Sequence, residues 1–265
     1  MGIPEAKGDP EECLQLRIHG DASLPALVYL PGLHGDWTLI PSFRVRVADR
    51  VRFVEFTYPR TLTWSLEEYA RAVDDALAAH GIREGWLLAE SFSSQVAWAM
   101  LGLARPQFAV SGLILAGGFV RHPLLRDVRL AKWIGGRVSL TWLTRFLFFY
   151  ARVARFRHRH APETAASIQE FIARRTELDR QAALHRLDLI AASDLWAVAQ
   201  AVRVPVFALT GWLDPIVPWP LTFWLLRRHC RSLRATKVLW RADHNVLGTA
   251  PDDAARQVLV WMAHS

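Results

Sequence analysis

Three residues with the right chemistry for acyl transfer each stand just past an apolar run: Ser91 after Leu87-Leu88-Ala89, Asp214 after Val206 to Leu209, and His244 after Lys237 to Trp240. A serine hydroxyl is a poor nucleophile at neutral pH. It needs a base to take its proton, a carboxylate to orient that base, and hydrogen-bond donors for the oxyanion that forms on the reacting carbonyl. Ser91 sits where a buried strand would turn sharply into a helix, a position that lifts a hydroxyl clear of the sheet and leaves the next amide free. Such a turn requires small residues two before and two after the serine, and Ala89 and Ser93 fill those places without the usual glycines. Singly, each residue also has a plain reading: a serine-rich helix start, an Asp-Pro turn former, a solvated turn histidine. Their order along the chain, each after a different strand, favours the chemical reading.

The elements that must position them follow from pattern. Leu14 to Ile18, Ala26 to Leu30, Val51 to Thr57, Gly85 to Ala89, Gly112 to Ala116, Val204 to Leu209 and Lys237 to Trp240 read as strands. Pro31-Gly32 ends the second. Ser65-Leu66-Glu67-Glu68 is a capping box opening a helix with apolar residues at Leu66, Tyr69, Val73 and Leu77. Pro251-Asp252-Asp253 opens the last helix, with acidic side chains where the helix dipole favours them. Alternating strands and helices predict an α/β fold, a mostly parallel central sheet with helices on both faces, and a site at the carboxyl ends of the strands. Residues 121–200 break the alternation and read as a helical, Arg-rich cap inserted into a core formed by 1–120 and 201–265.

Four segments together resemble the α/β-hydrolase family: Leu30-Pro31-Gly32-Leu33, Ala89-Glu90-Ser91-Phe92-Ser93, Gly211-Trp212-Leu213-Asp214-Pro215-Ile216-Val217-Pro218, and the late His244. The resemblance covers nearly the whole chain. It implies that Ser91 is the nucleophile, His244 the general base and later acid, and Asp214 the group that orients His244. It further implies two oxyanion donors, the amide of Phe92 and one from the loop after an earlier strand. The family usually places His-Gly at that strand's end. Here Pro31-Gly32 occupies the place and His34-Gly35 comes three residues later, so matching by strand end gives Leu33 and matching by letters gives Asp36. Leu33 is preferred, because the Asp36 carboxylate would oppose the developing charge. The implied activity is hydrolysis of a carboxylic ester or thioester through an acyl-enzyme, with no cofactor. Acyl-coenzyme A and acyl-carrier-linked substrates fall within that class, and the layout with a basic cap also resembles an acyl-carrier methyl esterase. A serine at the turn argues against the epoxide and haloalkane chemistries that resemble this scaffold but use a carboxylate. Two rivals stay open: an acyltransferase on the same three residues, and a non-catalytic binding protein that engages an acidic partner.

Composition bounds the rest. With 265 residues, 52% of them hydrophobic, the chain has enough apolar surface for one well-buried core. Cys13 and Cys230 are too few for a disulfide framework, and no histidine pair has metal-ligand spacing, so no metal is expected. Gly117-Gly118 and Gly135-Gly136 lack the pattern of a phosphate-cradling loop. The first ten residues lack the apolar run of a signal peptide, and Val138 to Tyr150 falls short of the roughly 20 residues of a membrane span, which together predict a cytoplasmic protein. The net charge of +7 is concentrated: residues 121–200 hold 14 Arg and Lys against 7 Asp and Glu, and the remainder balances. A helix from Ser139 to about Arg159 would place Trp142, Phe146 and Phe149 on an inner stripe, packing the cap and lining an acyl pocket together with His34 and Trp212. Its outer stripe, Phe148 among arginines, suits solvent, an anionic membrane surface or an acidic partner better than nucleic acid.

Overall fold

The computed structural model describes residues 13–138 and 175–264. Seven strands form one sheet in the order β1-β3-β2-β4-β5-β6-β7: β1 (Gln15–His19), β2 (Ala26–Leu30), β3 (Arg52–Thr57), β4 (Glu84–Glu90), β5 (Ala109–Ala116), β6 (Val206–Gly211) and β7 (Leu233–Leu239). Only β1 runs antiparallel to its neighbour. The sheet is therefore mostly parallel, as the alternation of elements predicts, and its central strands are continuous apolar runs because both faces are covered.

Alternate residues of those runs feed two cores. On one face Val28, Leu30, Leu87, Ala89, Leu113 and Leu115 meet α2 (Leu66–Ala79), α3 (Ser93–Leu101) and α7 (Trp219–His229). On the other, Leu27, Tyr29, Leu88, Ile114, Phe207 and Leu209 meet α1 (Pro41–Val47), α8 (Val246–Thr249) and α9 (Pro251–Ala263). Each Val, Leu, Ile or Phe among them, removed from water, contributes about 1.5–3 kcal/mol of transfer free energy. Helix α2 starts where the sequence places it, with Ser65 accepting from the Glu68 amide at 3.2 Å and Glu68 accepting from the Ser65 amide at 2.7 Å.

Between β5 and β6 the described residues form α4 (Leu125–Arg137), α5 (Glu177–Ala192) and α6 (Trp196–Ala201). The predicted helix from Ser139, with Trp142, Phe146, Phe148 and Phe149, lies outside the described residues. Strand β7 begins at Leu233, four residues before the expected start at Lys237. Arg234 and Lys237 are exposed on this edge strand and interrupt the apolar signal. Helices α1 and α7 carry prolines in their first turn, where a missing N–H costs nothing.

Candidate active site

Strand β4 ends at Glu90, and the next residue, Ser91, has φ 48°. It is the one non-glycine residue with positive φ among the described residues, a conformation that costs an L-residue roughly 1–2 kcal/mol. The surrounding bonds hold it there: the Ser91 amide donates to the Ala116 carbonyl at 3.0 Å, and the Ser91 carbonyl accepts from the Ser94 amide at 3.0 Å and the Ser94 hydroxyl at 2.6 Å. A planar trans peptide points its N–H opposite to its carbonyl. With the Ser91 carbonyl turned into the first turn of α3, the Phe92 N–H points the other way and has no protein acceptor among the described residues.

The loop after β2 repeats this arrangement. The Gly32 carbonyl accepts from the Gly35 amide at 2.9 Å, which leaves the Leu33 N–H outside the turn, again without a protein acceptor. A methyl group built on Gly32 would lie 3.7 Å from the Ser91 Cβ, so this peptide runs alongside the serine. Asp36 lies beyond the turn. Its carboxylate accepts from Arg175 and from the Thr38 amide at 2.9 Å. Burial opposes its charge, but Arg175 and the Thr38 bond outweigh burial and hold its pKa below the usual carboxylate value. His34 is half-buried, and burial together with the Arg175 charge lowers its pKa to about 4, so it is neutral at pH 7.

Asp214 and His244 reach the serine from adjacent loops. The Trp212 and Leu213 amides donate to the Leu239 and Ala242 carbonyls at 2.9 and 3.1 Å, which ties the loop after β6 to the loop after β7. Gly211 makes this possible, because a Cβ there would lie 2.3 Å from the Asp243 carbonyl oxygen. Asp214 Oδ1 accepts from the amides of Ile216 and Val217 at 2.8 and 2.9 Å, which orients the carboxylate. Its Oδ2 lies 2.8 Å from His244 Nδ1, and His244 Nε2 lies 2.8 Å from Ser91 Oγ. Burial disfavours the imidazolium, but the bond and charge of Asp214, with the charges of Glu90 and Asp243 behind it, outweigh burial and raise the His244 pKa above 6.5. Glu90 is itself buried, accepts from the Tyr29 hydroxyl and has a raised pKa from burial.

These features coincide with a known architecture. No protein-family model matches the sequence, and no curated protein matches it. Solved structures do: a thermophilic esterase from Thermogutta terrifontis (TM-score 0.74, 19% identity, 94% of this chain and 93% of that one), the enol-lactonase from Burkholderia xenovorans LB400 (0.75, 15%, 95% and 96%), and an alpha/beta hydrolase from a Medee basin deep-sea metagenome library (0.76, 13%, 95% and 94%). This chain has the α/β-hydrolase fold.

Within that fold Asp214, His244 and Ser91 are joined by hydrogen bonds, and the loop that carries Leu33 runs beside Ser91 through Gly32. Trp212 packs between Trp219 and Trp240 in tilted contacts, with ring centroids at 5.3 and 4.3 Å. Among the described residues no cluster of three or more His, Cys, Asp or Glu side chains could hold a metal ion, and no helix is long and apolar enough to cross a membrane.

Two supports escaped sequence reasoning. Ser93, which stands where glycine is usual, is fully buried and donates to the Pro31 carbonyl, while the Tyr58 hydroxyl lies 2.7 Å from its oxygen. Instead of crowding the turn, its hydroxyl ties the turn to the Leu33 loop. Ser93→Gly should therefore destabilise the protein by about 1–3 kcal/mol, since two buried polar groups lose their partner. An unchanged urea-unfolding midpoint would refute the tie.

The second support is Arg186 of α5, 1% exposed. It donates to the Leu33 and Pro59 carbonyls, both at 2.9 Å, and to the Tyr69 hydroxyl at 3.3 Å. Its guanidinium lies 5.7 and 5.9 Å from the Tyr58 and Tyr69 ring centroids. Gly35, at φ 78°, leaves room for it, because a Cβ there would come within 2.6 Å of Nη1. The signal was present in the sequence, since Arg186 falls on the stripe of Asp179, Ala182 and Ile190 that α5 buries. Arg186→Met removes the donors that hold the peptide after Leu33. The expected result is a fall in kcat of roughly 10- to 100-fold with KM little changed; a change in KM alone would show that Arg186 serves binding rather than loop position.

Proposed function

We propose that this protein is a serine hydrolase that cleaves a carboxylic ester or thioester through an acyl-enzyme on Ser91, with residues 121–200 as its cap. The reading rests above all on the unbroken relay Asp214 Oδ2, His244 Nδ1, His244 Nε2, Ser91 Oγ, with 2.8 Å at both junctions. Ser91 Oγ attacks the acyl carbon as His244 Nε2 takes its proton, and Asp214 stabilises the imidazolium through the Nδ1 hydrogen. The negative charge that forms on the former carbonyl oxygen is accepted by the Leu33 and Phe92 N–H groups, which have no acceptor to give up among the described residues. The tetrahedral intermediate collapses, and His244 returns the proton to the departing alcohol or thiol. Water then attacks the acyl-enzyme by the same route, with His244 as base, releasing the acid and Ser91. The esterases and the enol-lactonase among the structural neighbours act, by their names, on ester-type bonds, which supports this class and leaves the acyl group open.

The direct test is covalent labelling by a fluorophosphonate, followed by rates on esters and thioesters of increasing acyl length. Wild type should label stoichiometrically and Ser91→Ala not at all. Equal labelling of both, or none of wild type, would remove the proposal.

A further inference from the structure

The balanced charge outside residues 121–200 conceals a second basic region. From 212 to 241 the chain carries Arg227, Arg228, Arg231, Arg234, Lys237 and Arg241 against one acid, Asp214, whose side chain is buried beneath His244. All six cations are exposed, and none forms an ion pair among the described residues. This contrasts with other surface arginines, such as Arg71 paired to Glu67 and Arg256 to Asp253.

Interleaved with these charges is an exposed aromatic surface. Trp240 is 67% exposed, Trp224 53% and Trp212 43%, and Ile216 beside Asp214 is also 53% exposed. Trp240, Trp212 and Trp219 pack in succession through tilted contacts, and Phe223 carries the contact from Trp219 along α7 at 5.9 Å. Trp224 follows on the outer face of α7 with Arg228 over its ring at 5.5 Å, and Arg241 adjoins Trp240 in the chain. Arg227 donates to Thr236 of β7 at 2.9 Å, which joins the helix to the sheet's edge strand. None of the four indole N–H groups donates a hydrogen bond among the described residues.

We propose that α7 and the β7 edge form a docking surface for an anionic lipid bilayer. Large exposed apolar patches mark interaction sites, and the chemistry here selects the occupant. Indoles combine an apolar body with an N–H donor and settle at headgroup level. Six unpaired cations spread over a helix and a strand edge complement a continuous sheet of lipid phosphates, each contributing roughly fivefold in binding. The surface runs along the sheet edge to the loop that holds Asp214, so lipid docked on it lies beside the candidate active site.

The test is co-sedimentation of the full chain with phosphatidylcholine vesicles, with and without phosphatidylglycerol, at low and high salt. Binding should require phosphatidylglycerol and fall with salt. Trp224→Ser combined with Trp240→Ser, and separately Arg227→Gln combined with Arg228→Gln, should each weaken it about tenfold or more. The arginine variant removes no buried apolar surface and keeps the test valid if the tryptophan variant folds poorly. Absence of vesicle binding by the wild type overturns the proposal and leaves this face to an acidic protein partner. Undiminished binding by the arginine variant overturns it as well, by assigning the contact to another surface. Hydrolysis of a water-soluble short-chain ester should persist in the arginine variant, which separates failure of the docking surface from failure of the hydrolase reading.

Discussion

Ser91→Ala should lower kcat for ester hydrolysis by roughly 10⁴- to 10⁶-fold while leaving KM within a few-fold of wild type. In the proposed mechanism the loss is large because Ser91 supplies the bond-forming atom, and the adjacent hydroxyls cannot replace it. Ser93 and Ser94, its neighbours, spend their hydroxyls on the Pro31 and Ser91 carbonyls. Some rate above that in water should survive, since the Leu33 and Phe92 amides remain and His244 can activate a water in the space vacated by Oγ. The variant should fold about as stably as wild type, because alanine tolerates φ 48° about as poorly as serine and the supporting bonds to Ala116 and Ser94 use the backbone of residue 91. A variant that keeps its ester hydrolysis would place the chemistry elsewhere.

Asp214→Asn should cost about 10⁴-fold in kcat and also move the pH profile. Oδ2 of Asp214 accepts the Nδ1 hydrogen of His244, which leaves Nε2 unprotonated and able to take the Ser91 proton. An amide NH₂ in that place donates to Nδ1 and drives the proton to Nε2, where it blocks the transfer. The pH effect follows from the His244 pKa. Burial pulls it down, and Asp214 is the chief counterweight that raises it above 6.5. Since the neutral imidazole is the base, kcat/KM of the wild type should rise with pH through an inflection above 6.5 and level off on the alkaline side. In Asp214→Asn the counterweight is gone, so the residual activity should inflect at lower pH. The raised pKa also links to stability: its contribution is fully present below the unfolded value of about 6.5 and is lost as pH rises through the folded value. The difference in stability between wild type and Asp214→Asn should therefore be larger at pH 6 than at pH 9. An acid limb at the same pH in both proteins would exclude Asp214 as the group that sets the His244 pKa.

The order of elements, the mostly parallel sheet and the three candidate side chains at its carboxyl edge were legible in the sequence. Buried parallel strands must be apolar on both faces, which marks them as short continuous runs, and residues just past their carboxyl ends must gather at one edge. That reasoning located Ser91, Asp214 and His244 without any knowledge of distance. It weakened where the environment is half-solvated: exposed Arg234 interrupts the apolar signal of β7, which begins four residues before the expected start at Lys237.

The oxyanion donor was ambiguous between Leu33 and Asp36 for a different reason. An amide carries no signature in its residue type, and it is the bond from Gly35 to the Gly32 carbonyl, with Gly32 beside Ser91, that favours Leu33. Likewise nothing local in the sequence says that Ser93 binds Pro31, 62 residues away, or that Arg186 reaches Leu33 across 153. The sequence by itself determined which groups could react and at which end of the sheet they lie, because hydrophobic periodicity and chain order are properties of neighbours. The tertiary structure alone decided how those groups are held, because the supporting hydrogen bonds join residues whose proximity exists only after the chain has closed on itself.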